Sequence, residues 1–213
     1  MKIFSAAFSR LFNFQPRIAV AACFSVLILM LSVQTQARTI ADTEFPDVLE
    51  ATGEFPQMTL NGASVRKYYY VVDMYVGLLY MQNPGRSEQA VINDEGYKRM
   101  VFHTLLPRAS GRRVAKALYD ALNLSNEEAE ALGAPIDEVI EMFDVSMKSG
   151  DETHVEYVPG VGTRIIVKNE VRGVIASKRL FDAFLGIWIG AKPFSETFKA
   201  EILGTENALI AHE

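Results

Sequence analysis

The fifteen residues RKYYYVVDMYVGLLY, Arg66–Tyr80, decide the fold. β-branched and aromatic side chains dominate them and no proline interrupts them, so they read as strand rather than helix. The apolar run around them extends from Val65 to Met81. It is long for one strand and is expected to bend near Asp73. On a regular strand Arg66, Tyr68, Tyr70, Val72 and Met74 share one face, and Lys67, Tyr69, Val71, Asp73 and Tyr75 the other. One face has to pack on a core, and an arginine taken there is costly unless it meets an anion. Two readings of Arg66 follow. It forms an internal salt bridge with an Asp or Glu, or it is held for a ligand carboxylate, with tyrosine hydroxyls helping and an apolar cleft behind.

Working outward, Met58–Leu60 reads as a short strand and Asn61-Gly62 as a two-residue hairpin signal, because both positions tolerate positive φ. Asn83-Pro84-Gly85 is a turn, and Ser87 caps a short helix to Asn93. Tyr97–Leu106 is a strand that Pro107 limits. Helices are expected over Ser110–Leu122, from Ser125 to about Leu132, and over Ile136–Met147. Three strands follow, Thr153–Val158, Thr163–Val167 and Val171–Ile175. Ser177 then caps a helix over Lys178–Ile189, Pro193 breaks it, and Phe194–Leu203 is the last helix. Strands, helices, strands and helices in that order point to an antiparallel α+β domain rather than a βαβ repeat.

The ends differ from this body. Residues 1–37 carry Lys2, Arg10 and Arg17 and no acid, then the apolar run Ile18–Val33, then VQTQA with Thr35 and Ala37 at −3 and −1 of a cleavage site. This is the pattern of a secretory signal peptide. The run is 16 residues, short of the ~20 that cross a bilayer comfortably. Export to the periplasm or beyond is expected, with membrane contact only through the leader if it stays uncleaved. The chain's one cysteine, Cys23, lies inside the apolar run rather than after it, which argues against a lipoprotein. Residues 38–54 are an extended lead-in, 55–204 the domain and 205–213 a tail.

The full chain of 213 residues has 21 basic and 26 acidic residues. Without the leader the charge is −8, with 18 basic residues and no cysteine. Structural disulfides and cysteine-based metal sites are thereby excluded from the body. The acidic balance argues against nucleic acid as a partner. His103, His154 and His212 share no ligand spacing, and no phosphate loop, dinucleotide fingerprint or nucleophile elbow is present. No metal and no cofactor is expected.

Four stretches in order resemble the chalcone isomerase-like superfamily, in its bacterial exported branch. They are LNGASVRKYYYVVDMYVGLLYM, KRMVFHTLLPRASGRRVAKAL, YVPGVGTRIIVKNEVRGVIAS and FLGIWIGAKPFSETFKAEILG, together covering roughly Phe55 to Gly204. The resemblance implies an open-faced β-sandwich, a curved antiparallel sheet covered by a helical layer with a cleft between them. It also implies that Arg66 is the family arginine after the opening G-A-x-x-R. The threonine of catalytic members falls at Tyr75, as in the fatty-acid-binding branch. The catalytic tyrosine falls near Val114, the asparagine near Ala121 and the second threonine near Ile187. Cyclisation of a chalcone needs a positioned acid besides the arginine, and these positions do not supply one.

The expected function is therefore a non-catalytic, exported binding protein for a small amphipathic acid. A fatty acid is the first candidate and a larger planar carboxylate such as a porphyrin another. Arg66 would be the anion clamp, Tyr75 the hydroxyl donor, and Tyr68 and Tyr119 lining residues. The alternatives are an isomerase or lyase acting on a small aromatic substrate, and a structural envelope protein with Arg66 in an internal ion pair.

Overall fold

The computed structural model describes residues 37–69, 71–122, 128, 131–132 and 135–205. Residues 1–36 of the leader, most of the helix expected from Ser125 and most of the tail lie outside the described residues.

The described strands are β1 (Ala37–Ile40), β2 (Thr43–Pro46), β3 (Val48–Leu49), β4 (Met58–Tyr68), β5 (Val72–Met81), β6 (Lys98–Thr104), β7 (Glu152–Val158), β8 (Gly162–Val167) and β9 (Glu170–Ile175). The described helices are α1 (Glu88–Asn93), α2 (Gly111–Leu122), α3 (Ile136–Glu141), α4 (Lys178–Ile189) and α5 (Glu196–Ile202). β1 and β2 form a hairpin of their own through Ala41 and Asp42, both at positive φ. β3 to β9 form one antiparallel sheet in chain order, curled as a half-barrel. The expected α+β sandwich is the observed one.

Alternation along β5 explains why its sequence is apolar throughout. Val76, Leu78 and Tyr80 point to one face, and Tyr75, Leu79 and Met81 to the other. The second face meets the helical layer. α4 packs on β7 and β8, α5 on β4 and β5, and α2 against α3 and α4. Phe181, Phe184, Leu185, Trp188 and Phe198 are buried there against Met100, Val155 and Ile165. The first face is covered by the lead-in, where Phe45 and, less deeply, Ile40, Leu49 and Phe55 pack on Leu60, Leu78, Tyr97 and Val101. A strand buried on both faces needs no polar alternation, and hydrophobic burial of both holds it.

Besides shifts of one or two residues elsewhere, three boundaries differ from expectation for a packing or hydrogen-bonding reason. Met58–Leu60 does not end at Asn61-Gly62. β4 runs through that pair with a bulge between Leu60 and Gly62, and the chain reverses between Tyr68 and Val72. The Asn61 amide donates to the Ile202 carbonyl (2.9 Å) and its side-chain oxygen accepts from the Gly85 N–H (2.7 Å). A Cβ at Gly62 would overlap the carbonyl oxygens of Glu201 and Ile202. The pair is thus used to admit the end of α5, not to turn the chain. α3 stops at Glu141 rather than Met147, because Met147 and Ala109 exchange both backbone hydrogen bonds (2.7 and 2.9 Å) as an isolated bridge. α5 starts at Glu196 rather than Phe194, because Ser195 caps it by accepting from the Phe198 N–H. The caps at Ser87 and Ser177 are as expected.

Candidate functional site

The position of the reversal sets the site. Because the chain turns back after Tyr68, Arg66 and Tyr75 are direct cross-strand partners in the β4–β5 register. They share the face turned toward the helical layer, not opposite faces of one long strand. A shift in register between Arg66 and Lys67 accompanies this pairing.

Arg66 lies over the Phe194 ring, its guanidinium carbon 3.9 Å from the ring centroid. That is a cation–π contact that fixes the head group while its in-plane N–H donors remain for other partners. Among the described residues it has no carboxylate partner. Lys67, its neighbour, is paired with Asp73 at 2.6 Å.

Tyr75 stands in an aromatic wall. Its ring centroid is 5.3 Å from Phe102, 6.4 Å from Trp188 in stacked orientation, and 6.4 Å from Phe198. Burial pushes its phenol up to about 12, against smaller downward pulls from the Trp188 side chain and the Arg66 charge. The hydroxyl therefore stays protonated at neutral pH, as a donor. Next along β5, Gly77 leaves room for this wall, since a Cβ there would lie 2.6 Å from Phe198 Cζ and 3.1 Å from Trp188 Cη2. The space between sheet and helices behind Tyr75 is filled by aromatics.

The open space lies beside it. A half-open groove of about 1120 Å³ follows β4 from Leu60 to Tyr69 and is walled by Phe194 and the first turn of α5. Arg66, Lys67 and Tyr68 line it, with Phe194 and Phe198 on the helical side of the strand edge, Ile40 and Val65 on the other, and Arg38, Arg86, Glu196 and Glu201 also in the lining. β3 pairs only with Met58 and Thr59, so β4 is an edge strand along this length. The groove is thus bounded by a free strand edge and a helix.

Of the sequence-derived site residues, Arg66 and Tyr68 line the groove. Tyr75 backs Arg66 without lining it, and Tyr119 is half exposed on α2, outside the lining. Reading the sequence missed Phe194, the platform under Arg66. Its only signal is a phenylalanine between Pro193 and a capping serine, which announces a helix start and nothing about a partner 128 residues upstream. Among the described residues no group of three or more His, Cys, Asp or Glu is arranged to hold a metal ion.

A family model described as chalcone isomerase-like matches residues 37–204. Among solved structures the fold is similar to the crystal structure of an Arabidopsis thaliana fatty-acid binding protein, with a TM-score of 0.59 and 15% identity. That likeness covers 84% of this chain and 100% of the plant protein's chain. A search of curated protein sequences gave no match.

Proposed function

The chain belongs to the chalcone isomerase-like family, and from that premise we propose that it is a non-catalytic, exported binding protein for a small amphipathic carboxylate, a fatty acid first of all. The observation that carries this reading is Arg66, stacked on Phe194 beside a groove of about 1120 Å³ and without a carboxylate partner among the described residues. An arginine retained for structure alone would be expected to sit in an ion pair. The groove is slightly larger than the roughly 300–1,000 Å³ of small-molecule sites, and its lining mixes Phe194, Phe198, Ile40 and Val65 with charged groups such as Arg66, Lys67 and Arg86, which suits a ligand with one apolar and one anionic end. The plant protein of the same fold is named for fatty-acid binding, which supports the ligand class.

In this reading the carboxylate meets the Arg66 N–H donors in a charge-assisted pair, and the alkyl chain lies along Phe194 and Phe198 on the same face. Tyr75 supplies a protonated hydroxyl behind the clamp, and Tyr68 walls the mouth. The positions where the family resemblance puts the remaining catalytic groups hold Val114, Ala121 and Ile187, none of which can move a proton. Export rests on the leader pattern of residues 1–37.

The test is titration of the delipidated protein with long-chain fatty acids by calorimetry, beside Arg66→Ala. The wild type binds, and the variant binds about tenfold more weakly or worse, as expected when a charge-assisted pair is removed. Equal affinities in the two proteins, or no binding by the wild type, would sink the proposal.

A further inference from the structure

Eight large hydrophobic side chains are exposed among the described residues, and four of them fall within five positions: Tyr68, Tyr69, Val71 and Val72. They form the tip of the β4–β5 hairpin. Tyr69 is 76% exposed and Val71 81%. Tyr68 and Tyr69 reach the groove mouth, but no packing in the fold covers the tip as a whole. Tyr68 and Tyr69 touch each other edge to face, with centroids 4.4 Å apart. Tyr69 sits at φ 46°, a left-handed position where glycine or asparagine would be free of strain and a bulky ring is uncommon. A tip that met only water would be expected to be polar.

We propose that this tip docks on the surface of a lipid bilayer, its tyrosine rings settling at headgroup level, so that the adjoining groove opens at the membrane. Three observations favour a bilayer over a protein partner. Tyrosine joins an apolar ring to a polar hydroxyl, the combination that suits the interface between headgroups and acyl chains. The four side chains sit at the turn of one two-stranded hairpin, a narrow projection and not the surface of about 20–30 residues that a stable protein interface uses. The charge pattern also fits. The hairpin has three charged residues, of which Lys67 and Asp73 neutralise each other, leaving Arg66 positive just behind the tip. On a body of net charge −8, the hairpin is thus an end that presents no net negative charge to an anionic surface. The proposal goes beyond the ligand reading, and its test needs no ligand.

The test uses the full chain with vesicles of phosphatidylcholine and phosphatidylglycerol in equal parts, with and without brominated acyl chains. Trp188, the chain's one tryptophan, is buried and common to all samples. Val71→Trp reports on the tip, and Val174→Trp, at an exposed site on the far edge strand β9, is the control. Both variants carry the apolar leader, so tethering by the leader affects them alike. Emission from Val71→Trp shifts to the blue on vesicle binding and is quenched by brominated lipid, while that from Val174→Trp changes little. Adding Tyr68→Ser and Tyr69→Ser to Val71→Trp reduces the quenching several-fold. Adding Arg66→Ala instead leaves much of it, even where fatty-acid binding is lost, which separates this proposal from the ligand reading. Equal quenching at positions 71 and 174, quenching at neither, or undiminished quenching in the serine background overturns the proposal.

Discussion

Glu152 is held between two histidines on the face of the sheet opposite the helices. His154 Nε2 lies 2.9 Å from one of its oxygens and His103 Nδ1 3.0 Å from the other. The bond to His154, joined by that to His103, outweighs burial and holds the carboxyl below the usual glutamate range. Four residues further along β7, Glu156 is fully buried, with Arg99 Nε and Arg164 Nε each donating to one oxygen at 2.6 Å and the Tyr97 hydroxyl at 2.9 Å. Neither cluster was visible in the sequence. Residues 103 and 152, or 99 and 156, meet only because β6 pairs with β7, and that register belongs to the fold. The depressed Glu152 value has a sign. Between it and the unfolded value near about 4.3, the unfolded chain binds more protons than the native one. Its stabilisation is complete above that range and is lost as the pH falls through the folded value. Thermal midpoints measured from pH 7 down into acid should therefore fall less steeply for Glu152→Gln than for the wild type. Superimposable acid limbs would show that the histidine contacts contribute nothing to stability.

Between elements, the seam of β4 with α5 positions the groove. Element types were legible from sequence wherever one signal governed them. β7, β8 and β9 begin one residue earlier than their patterning suggests and end as expected, and serine caps mark α1, α4 and α5. The hairpin was not, because its strongest local signal, Asn61-Gly62, serves a long-range contact, while the actual reversal holds no glycine at all. That one displacement also put Arg66 and Tyr75 on opposite faces in the strand reading, so that only the family resemblance joined them; their pairing follows from a turn after Tyr68. Gly62 tests this account. The atoms a new Cβ would meet, the Glu201 and Ile202 carbonyls, are backbone and cannot rotate away. Gly62→Ala should therefore destabilise the protein by about 2 kcal/mol, an ordinary figure for overpacking, as the end of α5 is forced off the sheet. Urea unfolding checks it. An unchanged midpoint would mean that α5 can move freely, and that the groove wall it forms is not fixed.

For the whole molecule, the question is how much of the chain the fold requires. The family match begins at residue 37, the same residue that opens β1. Cleavage after Ala37, the site read in the leader, would remove one of the four β1–β2 pairs, Ala37 with Pro46. It would leave Arg38 paired with Phe45 in register and 3.6 Å from Asp47 across an ion pair. Phe45, which covers the sheet face away from the helices, keeps its place on β2. The body that remains has no cysteine, so its stability comes from core burial and not from a crosslink. A chain starting at Arg38 should thus unfold in one cooperative step with a thermal midpoint indifferent to reductant. It should retain the fatty-acid affinity of the full chain, because every residue assigned to the groove lies at or beyond Arg38. Calorimetric melting with and without dithiothreitol, followed by ligand titration, checks both parts. A broad, non-cooperative melt, or binding lost along with the first 37 residues, would show that the leader is part of the folded binding protein and not a segment it can shed.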